Sequence, residues 1–101
     1  MVEQRRKMII DIVRDEFSAP NDYHTNKSRT RDFVYPRKAL CMLMIEYGSF
    51  TYLSLSEYFG KREHTTVRHA YTDGHLLLSQ DEGFKMSYER AKERVKLLAN
   101  D

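Results

Sequence analysis

Hydrophobic positions along the chain recur at helical intervals, and no segment shows the two-residue alternation of a half-buried strand. Near the start, Met8, Ile9, Ile12, Val13 and Phe17 fall one, three and four residues apart, which places them on one stripe of a helix over 2–17. Breakers then cluster in "SAPNDYHTNKS" (18–28), read as a loop. Ala39, Leu40, Leu43, Met44 and Tyr47 form the next stripe; Pro36 suits its first turn and Gly48 ends it, so a largely buried helix is expected over 36–47. Thr51 is placed to cap a short helix carrying Leu53, Leu55, Tyr58 and Phe59, and Gly60 to supply a positive-φ turn. Val67, Ala70 and Tyr71 open the inward stripe of the helix after it, and Tyr88, Ala91, Val95 and Leu98 mark a last amphipathic helix. Two short helices across a tight glycine turn make a helix-turn-helix. The pattern predicts one all-α domain over 1–101, of five or six helices, with the helix-turn-helix at about 51–78 braced by the 2–17 and 36–47 helices.

Length supports that reading, because 101 residues with 41% hydrophobic content hold one modest core and no second domain. The single cysteine, Cys41, sits in the apolar run "ALCMLMI" and has no disulfide partner; a small buried hydrophobe in a reducing compartment is expected. The apolar part of "MVEQRRKMIIDIV" is short and interrupted by Asp11, which fits neither a signal peptide nor a membrane span. A soluble, cytoplasmic protein without membrane contact is therefore expected.

Charge changes the picture once it is divided along the chain. Residues 1–26 carry four Lys/Arg against five Asp/Glu, residues 27–75 eight against five, and residues 76–101 five against five. The net +2 therefore comes from the middle of the chain, where "KSRTRDFVYPRK" (27–38) has five cations and one acid. A polyanion would meet the protein there.

The stretch "GKREHTTVRHA" (60–70) gives that charge a direction. With Val67, Ala70 and Tyr71 turned inward on a helix, His64, Thr65, Arg68 and His69 face outward or sideways. Imidazole, hydroxyl and threonine methyl are groups that meet base edges in a major groove, while Lys61 and Arg62 at the turn can reach phosphates. "KSRTR" reads as a flexible basic arm able to enter a minor groove beside such a unit.

"RTRDFVYPRKALCML" followed by "LSLSEYFGKREHTTVRHA" resembles the C-terminal DNA-binding domain of DnaA, the bacterial replication initiator, whose signature reads G-R-D-H-T-T-V-x-H-A. The likeness runs over roughly residues 8–79. It implies a TrpR-like helix-turn-helix that binds double-stranded DNA at a DnaA-box-like site, in replication initiation or its regulation. Residue by residue, it implies that Arg29 reads an AT-rich minor groove with Arg31 beside it, and that Arg37 and Lys38, on the helix that approaches backbone and groove, are also among the base-reading residues. Glu63, His64, Thr65 and Thr66 match the base-reading set, and His69 the signature histidine, with packing or DNA contact both open. Lys27, Lys61, Arg62 and Arg68 are left to phosphates or secondary contacts.

Four departures from the family pattern bear on this. Glu63 replaces aspartate, Lys38 replaces glutamine, and Tyr52-Leu53 stand where Leu-Pro is common. Gly74 falls where the family keeps an apolar residue, so a bend or end of the recognition helix is expected there, at about 1 kcal/mol against alanine. No G-x-x-x-x-G-K-[ST] occurs, so ATP-driven origin melting is not expected of this chain.

Two rival readings compete with this one. An enzyme could draw on His24, His64, His69, His75 and Cys41, but His64 and His69 are five apart, roughly 140° around a helix, which is the wrong spacing for a helical ligand pair. No metal, nucleotide or other cofactor is expected, and no catalysis. The alternative is a protein-interaction module or transcription regulator that keeps the fold without initiator activity, its tyrosines serving an interface. The favoured reading is a monomer that binds duplex DNA, with a replication protein as candidate partner.

Overall fold

The structure, a computed structural model, describes residues 2–59 and 64–99, apart from the side chains of Val2, His64 and Ala99. Among these, five helices follow one another without a strand: α1 Val2–Phe17, α2 Arg31–Tyr47, α3 Tyr52–Tyr58, α4 His64–Gln80 and α5 Glu82–Ala99. The central element is α2, which packs against each of the other four. Its composition dictates this, because Ala39 to Met44 are all buried and a helix that is apolar on every side has to be surrounded. Braced by α1 and α5, it holds α4 on its remaining flank, and α3 lies across α4.

The second helix begins five residues earlier than the stripe suggested. The Thr30 carbonyl accepts from the N–H groups of Phe33 (3.0 Å) and Val34 (2.9 Å), so helical bonding starts at the arm and Pro36 lies inside α2. The proline forgoes one bond, to the Asp32 carbonyl in the first turn, and its ring is buried. Gly48 ends α2 as expected, but with φ −99° it is not left-handed. Space is the reason for glycine there, since an added Cβ would sit 2.8 Å from the Met44 carbonyl oxygen. The left-handed residue is the next one, Ser49, at φ 61°.

Thr51 caps α3 as predicted. Its hydroxyl accepts from the Ser54 N–H (3.1 Å) and the Ser54 hydroxyl accepts from the Thr51 N–H (2.9 Å), a reciprocal capping box. Leu53 points away from the core and is 61% exposed. Gly60, expected to make the turn, lies outside the described residues.

The helix does not end at Gly74, where the sequence suggested a bend or end. The α4 helix continues through it to Gln80, and the glycine is buried against α2. A Cβ there would fall on the Met42 sulfur and come 3.4 Å from the Lys38 carbonyl oxygen, so the missing side chain lets the two helices approach closely. The seam is closed on its flanks by Lys38 with Asp73 (3.8 Å) and Glu46 with His75 (3.6 Å). Burial, with Glu46 beside it, raises the Tyr71 hydroxyl above its ordinary pKa.

The loop after α1 is anchored by Tyr23, which is fully buried and donates its hydroxyl to the Ile10 carbonyl (2.7 Å). Asp81 is the sole residue between α4 and α5. Its carboxylate accepts from the Phe84 N–H (3.0 Å), which caps α5 and holds the carboxyl below its ordinary pKa.

Candidate nucleic-acid interface

The recognition surface starts from the rotation of α4. Val67 is buried (1% exposed) and Ala70 and Tyr71 are half-buried, so the inward stripe is the one the sequence predicted. Phe59, at the end of α3, is buried with Val67 in the same place, as expected of residues packed across the turn. Thr65, Thr66, Arg68 and His69 are consequently exposed along one side of the first two turns. His64 begins the helix, while Lys61, Arg62 and Glu63 lie outside the described residues.

Beside that surface runs a groove of about 260 Å³ between α2 and α4. Val34, Cys41, Phe59, Val67 and Ala70 give it an apolar lining, Arg37 and Lys38 border it from α2, and Thr66 and His69 border it from α4. The two cations and the polar recognition residues named from separate parts of the sequence are thus neighbours. Cys41 is 3% exposed, the small buried hydrophobe expected.

The arm joins the same surface. Residues 26–29 have no regular structure, and Lys27, Arg29 and Arg31 are exposed. Yet the arm is held where the sequence suggested a flexible segment. The Asn26 N–H donates to the Asp22 carbonyl (2.9 Å), the Asn26 amide donates to the Asp22 carboxylate (3.0 Å), and Asn26 Oδ1 accepts from the Ser28 N–H (2.8 Å). Arg37, 9% exposed, donates its guanidinium to the carbonyls of Asn26 and Ser28. Arg31 leans over the Tyr35 ring, 5.1 Å from its centroid, toward Asp81.

Among the described residues Lys27, Arg29 and Arg68 form no ion pair, and Arg68 lies over the Tyr52 ring at 5.9 Å. The histidines serve separate contacts, His75 with Glu46 and Tyr71, His24 with Tyr23 and Phe59. No described helix is long and apolar enough to cross a membrane. Reading the sequence alone missed Tyr23 and Asn26, which sit among loop-forming residues, and the space-making role of Gly74. The one available signal was a large aromatic inside a polar breaker segment.

An all-α domain with a short capped helix leading into a longer one, its polar face exposed beside a cationic border, is a helix-turn-helix of the DNA-binding class. The chain belongs to the family of the bacterial DnaA protein helix-turn-helix, whose model matches residues 6–73. It is similar to the chromosomal replication initiator protein DnaA of Synechococcus sp., 31% identical over 93 residues, which is 92% of this chain and 20% of that protein. It is also similar to the chromosomal replication initiator protein DnaA of Nautilia profundicola, 27% identical over 89 residues, 88% of this chain and 20% of that protein. The chain spans about a fifth of the length of these relatives. The family match stops just before Gly74, so the second half of α4 and all of α5 lie beyond it.

Proposed function

We propose that the chain binds double-stranded DNA sequence-specifically, with the start of α4 in the major groove and the 27–31 arm in the adjacent minor groove of a DnaA-box-like, AT-rich site. The observation that carries this reading is the exposed row Thr65, Thr66, Arg68 and His69 bordering the α2–α4 groove, with the exposed cations of the arm on the other side of Arg37. His64, Thr65 and Thr66 offer imidazole, hydroxyl and methyl groups to base edges, and Glu63 accepts from a cytosine amino group, one methylene further out than an aspartate. Arg29 reads the narrow, electronegative minor groove of AT-rich sequence. Lys38, a base reader by resemblance, is turned to Asp73 (3.8 Å) and serves, with Lys27, Arg31, Lys61, Arg62, Arg68 and His69, phosphates and groove edges, positioning the protein without sequence information. One chain reads two grooves, so a monomer suffices. The names of the relatives support a role in replication initiation or its regulation, and a replication protein is the partner proposed for it.

Enrichment of bound duplexes from a randomised library tests the reading directly. A recovered AT-rich consensus supports it, whereas no enrichment over input at low salt would leave a protein-interaction module as the better account. Salt titration then separates the contacts. Substituting Lys27, Lys61 and Arg62 together by Ala should lower the slope of log affinity against log salt by about 0.9 per lost phosphate contact, equally on every duplex. An unchanged slope would remove these three from the interface.

A further inference from the structure

We infer that Arg37 is the positioning residue of the arm, a latch that fixes its backbone so that Lys27 and Arg29 project toward DNA, and that it is not itself a base-reading residue. The inference rests on the proposed two-groove reading and adds to it how the arm is held.

The geometry points this way from both ends of the latch. Arg37 is a charged side chain at 9% exposure, and its planar guanidinium donates to two carbonyls of the arm, those of Asn26 and Ser28. These residues alternate with Lys27 and Arg29. Holding the backbone at positions 26 and 28 fixes the course of the segment between and just beyond them, on which Lys27 and Arg29 are both exposed. Asn26 completes the grip from the other direction, through its bonds to Asp22 and to the Ser28 N–H. Arg37 stands on the rigid, buried α2 and borders the groove beside Thr66 and His69, so one side chain ties the arm to the surface of the recognition helix. A free basic arm loses conformational freedom on entering a minor groove; a latched arm has lost it in advance, and affinity rises accordingly.

Binding of the duplex enriched from the randomised library, and of random-sequence duplex, distinguishes latch from direct contact. The variants are Arg37→Lys, which keeps the charge but cannot grip two carbonyls with one planar fork, and Asn26→Ala, which releases the arm without changing any charge. Thermal melting confirms that each is folded, and Asn26→Ala carries the test if Arg37→Lys is not. Each should weaken specific binding on the order of tenfold, the scale of a lost base contact, while lowering the salt slope and random-duplex affinity by no more than the single Lys27 phosphate contact. In an Arg29→Ala background both should cost no more than about twofold, since residues acting through one another are not additive. Costs that multiply in full with Arg29→Ala, or an Asn26→Ala protein that binds like wild type, would overturn the latch while leaving the two-groove reading intact. If Arg29→Ala alone bound like wild type, the arm would leave the interface and both would fall.

Discussion

Where α1 and α5 meet, three arginines are matched by acids, while Lys7, Lys85 and Lys96 on the same two helices form no ion pair among the described residues. Arg14 lies against Asp11, Arg90 against Glu16 (3.0 Å), and Arg94 against both Glu16 (3.1 Å) and Asp15 (3.5 Å). Burial works to raise Glu16, but the two arginines outweigh it and hold its carboxyl below the ordinary range. On the face built by the arm and the start of α4, Lys27, Arg29 and Arg68 form no ion pair among the described residues, and the acids nearest the seam, Glu46 and Asp73, are turned to His75 and Lys38. Arginine counts therefore mislead on their own. A cation already paired must leave its carboxylate before it can take a phosphate, so Arg14, Arg90 and Arg94 are weaker phosphate candidates than their charge alone suggests. The second contrast is in packing: both seams carry ion pairs at the surface, but only between α2 and α4 does a glycine lie directly against a buried methionine side chain.

The packing contrast can be broken at Gly74. Gly74→Leu should cost about 3 kcal/mol in denaturant unfolding, the upper end of overpacking penalties, because a full side chain has no room between α2 and α4. Gly74→Ala should fall near neutral, as the Met42 thioether can yield and the helix gains about 1 kcal/mol of propensity. A Leu variant as stable as wild type would mean that the helices do not meet there. Val67→Ala, which empties the floor of the groove, should cost about 2 kcal/mol in the same experiment.

The charge contrast predicts smaller changes. Arg94→Ala should lower stability by no more than about 1 kcal/mol, since its pairs are exposed and screened, and should leave DNA affinity at moderate salt unchanged. A loss of affinity equal to that of Lys27→Ala would bring the α1–α5 face into the interface. The smallest effect concerns His24, whose pKa is lowered from 6.5, by burial first and then by Arg14, against the opposing pull of Asp22 and Asp11. Its folded pKa lies below the unfolded one, so the unfolded chain binds more protons between them and stability rises with pH there. The contribution is complete above about pH 6.5 and is lost as pH falls through the folded value. Unfolding measured across that interval should show a shallower pH slope in His24→Asn than in wild type.

Most of the helical frame was legible because its signals are local. The 2–17 stripe, the Thr51 cap and the inward triplet Val67, Ala70, Tyr71 depend only on neighbours in sequence. The start of α2 was not, because proline suggests a first turn while helical bonding began at Thr30, ahead of the apolar stripe. Gly74 was read by propensity as a weak point and serves instead as a contact, because its reason lies 32 residues away at Met42. Arg37 shows the same limit. Composition and family likeness place it among DNA-contacting cations, but only the folded arm shows which carbonyls its guanidinium reaches.

The central claim is that bases are read from the start of α4 and from the arm, with phosphate contacts kept separate. Competition binding of wild type, Thr66→Ala and Arg29→Ala, each on the enriched duplex against random-sequence DNA, measures it most directly. Both substitutions should cost about 1–3 kcal/mol on the enriched duplex and much less on random DNA, because a lost base contact removes discrimination and leaves the phosphate contacts standing. Equal proportional losses on the two duplexes would show a phosphate clamp and contradict the account.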